Sequence, residues 1–370
     1  MDIRIEHVSP TESVMEGVFV AVPLCFPTQS VPPPAGETAV NVLMQSDDGR
    51  TTWMGTSGSK AHVMAAGIHG STGAVRDAGT IPDATSIAGL MQDVDAAPET
   101  PNLYAAADGP AGSSLWKVEA RMPQMLIQEW GWIRPQKPQK ICDLFAGVPV
   151  VHAVACGGGK TMAGLAADGR VFAVDAAAGK VRMMGQVAGP IAPLSRVVID
   201  GAGCLWGADA SGKLWSCDLE RGKVESSGLA IPMDGSTGAR AVTWAADEAG
   251  GLLYGGVDPD ALLFSVDPRS RAMQTIGKVS RLSGLGCLAV SRDGRVFGAA
   301  GLEEDIGHLF CFDPKQRTLR NLGVATSALN ARQYGYHFRS ALTGAGGEIY
   351  FGQYERVNHL WVYFPAALKR

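Results

Sequence analysis

The sequence predicts an all-β protein of the propeller type, and three observations carry that prediction. A phrase made of an aliphatic residue, an aromatic, two variable residues and usually an acid occurs six times. A second phrase, strand-like and closing on Gly, precedes it in most units. Between them lie short apolar runs broken by Asp-Gly, Gly-Gly and Ser-Gly turns, with none of the 3.6-residue periodicity of amphipathic helices.

The first phrase reads Leu115-Trp116-Lys117-Val118-Glu119, Val171-Phe172-Ala173-Val174-Asp175 and Leu214-Trp215-Ser216-Cys217-Asp218. It returns as Leu263-Phe264-Ser265-Val266-Asp267, Leu309-Phe310-Cys311-Phe312-Asp313 and Leu360-Trp361-Val362-Tyr363-Phe364, where Phe replaces the acid. Successive aromatics are 43 to 56 residues apart. A four-stranded propeller blade takes about 40 to 50 residues, whereas helical repeats of that length need amphipathic helices.

Each unit then reads as an inner strand, a turn, a second strand, a loop, the third strand and a variable outer strand. The second strand is clearest in Gly203-Cys204-Leu205-Trp206-Gly207, Gly251-Leu252-Leu253-Tyr254-Gly255 and Gly294-Arg295-Val296-Phe297-Gly298, and it recurs in Gly347 to Gly352. Outer strands are predicted over 223–229 and 319–324. A weaker first unit has Arg50-Thr51-Thr52-Trp53-Met54-Gly55 as second strand and Ala61-His62-Val63-Met64 as third. Counting it gives seven four-stranded antiparallel blades over 36–370, in a single domain, with six or eight blades as the alternatives. The last unit runs out at Pro365 without an outer strand, so the apolar segment 14–22 is expected to close the ring, with 1–35 as lead-in.

A net charge of −4 leaves no basic footprint for nucleic acid. The N-terminus lacks the pattern of a signal peptide, and no apolar run approaches the roughly 18 residues that span a membrane. Seven scattered cysteines without a Cys-x-x-Cys pair suit a reducing compartment better than a disulfide framework, so the expected location is cytoplasmic. No metal or cofactor motif occurs; Gly157-Gly158-Gly159-Lys160 lacks the spacing of a phosphate loop and reads as a hairpin turn.

Propellers bind ligands at the mouth of the central channel, where the inner strands begin. Arg196, Arg240 and Arg339 stand at three such positions, Arg281 slightly upstream of a fourth, and His152 at the equivalent place in another unit. Several guanidiniums around one space call for an anion; the bland alternative pairs each with an acid such as Asp200, Asp247 or Asp258. The connection Asn330 to Arg339 adds Arg332, Tyr334, Tyr336 and His337, and the segment Gln353 to His359 adds Tyr354, Glu355 and Arg356. Tyr and His transfer protons; equally, Tyr334, Tyr336 and Phe338 are suited to plugging the channel. Glu303, Glu304 and Asp305 offer carboxylates on the same side, while His308 and His359 occupy matching, structural positions. Trp130 and Trp132 lie in an insert and suit either sugar stacking or packing on a blade.

The Asp-Gly-Arg-Val-Phe-Gly and Leu-Phe-Cys-Phe-Asp-Pro phrases at 293–298 and 309–314 resemble those of bacterial seven-bladed propellers. Streptogramin-type lyases, propeller polysaccharide lyases and related rhamnose-removing enzymes belong to that group. The resemblance spans nearly the whole chain from about residue 40 and lies in the blades. In the polysaccharide lyases a His or Tyr near the channel takes the proton beside a uronate carboxylate, which a basic residue neutralises. The resemblance therefore implies a lyase acting on a uronate-containing oligosaccharide by β-elimination. Arg196, Arg240 and Arg339 would hold the carboxylate, with Arg281, Arg332, Tyr354 and Arg356 nearby. His337 or Tyr336 would be the base, and His152 or Tyr334 the acid. The alternatives are a non-catalytic propeller that binds a protein or small ligand on that face, and a propeller glycoside hydrolase.

Overall fold

The computed structural model describes residues 4–6, 24–25, 37–69, 72–93, 95, 101–119, 137–235, 240–281, 284–301, 307–327, 333–354 and 359–365. Among them every regular element is a β-strand. Two short strands come first, β1 (Arg4–Glu6) and β2 (Leu24–Cys25). Then follow β3 (Glu37–Gln45), β4 (Thr51–Gly58), β5 (Ala61–His69) and β6 (Thr72–Ile81), and next β7 (Ser86–Gln92), β8 (Asn102–Gly109), β9 (Gly112–Glu119) and β10 (Gln139–Ala146). A third group is β11 (Val150–Cys156), β12 (Thr161–Ala166), β13 (Arg170–Asp175) and β14 (Lys180–Gln186). The fourth is β15 (Val198–Ile199), β16 (Cys204–Ala208), β17 (Lys213–Asp218) and β18 (Lys223–Ala230), and the fifth β19 (Arg240–Asp247), β20 (Leu252–Asp258), β21 (Leu262–Asp267) and β22 (Ala272–Lys278). Last come β23 (Leu285–Val290), β24 (Val296–Ala300), β25 (His308–Asp313) and β26 (Thr318–Ser327), then β27 (Gln333–Gly335), β28 (Phe338–Thr343), β29 (Ile349–Gln353) and β30 (His359–Tyr363).

The arrangement is propeller-like. Consecutive antiparallel strands form meanders β11 to β14, β15 to β18 and β19 to β22, each a sheet of its own. The groups beginning at β3 and β7 share one sheet through the single pair Ser57↔Ser86. The innermost strands touch in the order β3, β7, β11, β15, β19, β23 and β28, and β28 also touches β3. All six aromatic phrases form the third strand of their units. The outer strand of the β28 to β30 unit is β2, which pairs antiparallel with β30. Residues 24–25 thus hold the position expected of 14–22, which lies outside the described residues. Two features have no counterpart in the repeat. β1 runs parallel to β26 as an added edge strand, and β27 folds back onto the far end of β26.

The two sequence phrases meet face to face. Gly164 pairs with Phe172, Gly207 with Trp215, Gly255 with Phe264 and Gly298 with Phe310. Each ring covers the bare Cα of its glycine, so that a Cβ at Gly207 would stand 2.5 Å from the Trp215 ring and one at Gly298 2.6 Å from that of Phe310. These rings are fully or almost fully buried and pack between neighbouring sheets.

The phrase's acid also has a structural cause. The carboxylates of Asp175, Asp218, Asp267 and Asp313 accept backbone N–H groups two or three residues on, and so hold the turn into the outer strand. The residue four places after each acid is left-handed: Gly179, Gly222, Arg271 and Arg317, with φ between 53° and 66°. Phe364 stands at the acid's position in the unit whose outer strand, β2, comes from elsewhere in the chain.

The ring-on-glycine contact makes a direct prediction. Gly207→Ala is expected to destabilise the protein by about 1–3 kcal/mol through overpacking. Gly201→Ala, where a Cβ meets nothing within 4 Å, is expected to leave the urea unfolding midpoint nearly unchanged.

Candidate functional site

A channel runs through the centre, walled by the innermost strands. At the end where those strands begin, an upper chamber has a volume of about 570 Å³. At the hairpin end a lower chamber has about 950 Å³. His152, Arg196, Arg339 and Val42 line both, which places them at the waist between the two chambers.

Arg196 precedes β15 and reaches across the channel, where its Nη2 donates to the carbonyl oxygen of Asn41 in β3 at 2.7 Å. Burial lowers its pKa to about 10, and the positive charge of Arg339 adds to the effect. Arg339, in β28, lies with Cζ 3.6 Å above the centre of the Tyr354 ring, a cation–π contact that holds the guanidinium in place. Burial lowers its pKa as well. Among the described residues neither guanidinium pairs with a carboxylate.

His152 completes the waist. Its Nδ1 accepts the N–H of Val197 at 3.3 Å, which puts the imidazole proton on Nε2. Burial first, and then the Arg196 charge, hold its pKa well below the usual histidine range, so the ring is neutral. Next to Arg196, Ser195 lines the upper chamber; it is 2% exposed, and its hydroxyl has no partner among the described residues. The waist therefore offers two guanidiniums, a hydroxyl and a histidine whose lone pair is already used. Its chemistry is that of an anion site.

Sequence reasoning finds part of this site. Arg196, Arg339 and His152 come together as expected. Arg240 does not join them: its Nε and Nη2 lie 3.0 and 2.7 Å from Oδ2 of Asp258, the inter-strand pairing of the bland alternative. Arg281 is exposed and lines neither chamber. Tyr354 supports Arg339 from below. Tyr334 and Tyr336 form an exposed pair of rings 6.3 Å apart, and neither they nor His337 line either chamber. The reason is β27, which pairs Tyr334 with Thr326 on the outermost strand of the preceding sheet. The carbonyl of His337 accepts the N–H of Tyr354. Arg332, Arg356, Glu303, Glu304, Asp305, Glu355, Trp130 and Trp132 lie outside the described residues. His308 and His359 are buried, with Nδ1 against Asn321 and Gln353, as their structural reading expects.

The sequence reading missed Ser195 and Asp108. Ser195 is a lone hydroxyl whose neighbour carried the visible charge. Asp108, at the end of β8, lines the upper chamber, and its Oδ1 accepts Ser113 Oγ at 2.6 Å and the Val150 N–H at 2.8 Å. Burial outweighs those bonds and raises its pKa to about 6.

No family model matches the sequence, and no curated protein matches it significantly. Solved structures do match. The extracellular domain of a putative one-component system from B. thetaiotaomicron superposes with a TM-score of 0.61 at 12% identity, over 94% of this chain and 40% of that one. The extracellular domain of a putative hybrid two-component system from the same organism gives 0.58 at 12%, with the same coverages. The chain thus spans less than half the length of these solved chains, and the likeness is one of fold. It overturns the expected cytoplasmic location, since both neighbours are extracellular domains. The cysteines misled for a chemical reason. Cys156 and Cys217 are pushed up to about 11 and Cys287 to about 12 by burial, so as inert thiols they need no reducing surroundings.

Asp108 makes stability pH-dependent. Its folded value lies above the unfolded 3.8, so its stabilising contribution is complete below about pH 4 and is lost as pH rises through about 6. A two-unit shift corresponds to about 3 kcal/mol. Urea midpoints measured from pH 4 to pH 7 are expected to show this loss in the wild type, and a flatter profile in Asp108→Asn.

Proposed function

We propose that this chain is a propeller-type binding domain, located outside the cytoplasm, that takes a small anionic ligand through the upper chamber of its channel. One observation carries the reading: Arg196 and Arg339, both half-buried, face a common lumen with no carboxylate among the described residues to neutralise either. Two enclosed cations that repel each other gain from an anion between them, because Coulomb attraction is stronger away from bulk water.

The reading takes the four-strand units as one domain and one seven-bladed ring closed by β2. The pairing of β2 with β30 and the contact of β28 with β3 support it. Extracellular domains of putative one- and two-component systems share the architecture, which suits ligand recognition at the cell exterior. β-Elimination is the weaker reading. It needs a base beside the bound carboxylate, and the His152 lone pair is already given to Val197. The tyrosines offered for that step stand outside both chamber linings.

The test is a thermal-shift series with phosphate, sulfate, glucuronate and galacturonate. An anion at a hundred times its dissociation constant adds about 2.7 kcal/mol, which corresponds to a rise of several degrees in Tm. The rise is expected in wild type and Arg240→Ala and absent in Arg339→Ala. Uronate polymers are expected to give no unsaturated product by ultraviolet absorbance; a product would restore the lyase reading.

A further inference from the structure

The upper chamber is not uniform. One side is apolar: Val151 on β11, and Ile191, Pro193 and Leu194 on the connection from β14 to β15. Leu194 is 36% exposed, one of few large apolar side chains left so open among the described residues. Other lining residues are polar, but their groups are engaged with one another or with the backbone. Asn41 Nδ2 donates to Ser86 Oγ at 2.9 Å, Ser57 Oγ lies 3.4 Å from Asn41 Oδ1, and Asp108 takes Ser113 and Val150. The charged donors are at the floor, in Arg196 and Arg339, neither paired with a carboxylate among the described residues, beside the hydroxyl of Ser195, which has no partner among them.

A sugar acid would bring several hydroxyls into this space. Each hydroxyl stripped of water needs a new partner, or it costs affinity. The polar side chains already bond one another or the backbone, and the apolar ones have no bonds to give. An apolar body loses nothing there and gains from covering Leu194, Pro193 and Ile191. A volume of about 570 Å³ suits a compact small molecule.

Building on the anion-binding reading above, we infer that the ligand is an organic acid with a carboxylate head and an apolar body. The carboxylate lies on Arg196, Arg339 and Ser195 Oγ at the floor of the upper chamber, and the body lies against the apolar wall at Leu194. The chamber selects for apolar acids over sugar acids of the same size, although both carry the same head group.

Cyclohexanecarboxylate and glucuronate make the matched test, since each is a six-membered ring bearing one carboxylate and only the second bears hydroxyls. Calorimetric titration of the full chain is expected to give at least tenfold tighter binding of cyclohexanecarboxylate. Cyclohexanol, without the charge, is expected not to bind. Leu194→Asn, a neutral change at an exposed position, is expected to weaken cyclohexanecarboxylate at least tenfold and leave inorganic phosphate nearly unchanged. Arg339→Gln is expected to abolish both. Glucuronate binding as tightly as cyclohexanecarboxylate, or an unaffected Leu194→Asn, would overturn the apolar-body inference while the anion site stands. Failure of both acids and of phosphate would overturn the anion site itself.

Discussion

An aromatic ring laid across a bare Cα is the contact on which the rest of this molecule depends. Within a sheet it joins the third strand to the second; between sheets the same ring fills the space that the next unit packs against. Because the glycine has no Cβ, the ring lies flat and the sheets approach closely. Cores are dense enough that even one added methyl group at such a point is felt. The pairing asks for one glycine and one aromatic in each of the four units that carry it.

The channel follows from that packing, and its waist from where three inner strands begin. Arg196, Arg339 and His152 occupy equivalent starting positions in different units, so a local pattern repeated around a ring becomes a cluster across a space. What distinguishes them from Arg240 is a single carboxylate. Asp258 ends the strand beside Arg240 and neutralises it, whereas the acid near Arg196, Asp200, is taken by backbone N–H groups and the Trp206 indole.

This also marks how far the sequence can be read. The strand phrases, the turn acids and the inner arginines were legible because each is set by contacts within its own unit. Ion pairing was not, since Arg196 and Arg240 look alike until the partners across strands are known. The cluster Tyr334, Tyr336, His337 resembled a channel loop because it precedes an inner strand directly. Its pairing with β26 is specific to one unit, and no repeat announces it. Asp108 and Ser195 were invisible for the same reason: burial, which tunes the first and isolates the second, belongs to the assembled ring and not to the residue type.

The two N-terminal strands set the order in which the chain is completed. β1 finds its partner at Thr318 to Arg320 and β2 at His359 and Leu360, each more than 300 residues downstream. During synthesis these segments emerge first and wait longest, while units such as β11 to β14 can zip up from neighbouring strands as they appear. Contacts between such distant residues form slowly, because the loop they close must be ordered before they contribute. Until β30 is made, β2 has no partner in that sheet, and an unpaired edge is open to pairing with other chains. The arrival of β30 is therefore the moment at which a row of nearly finished sheets becomes one protected body.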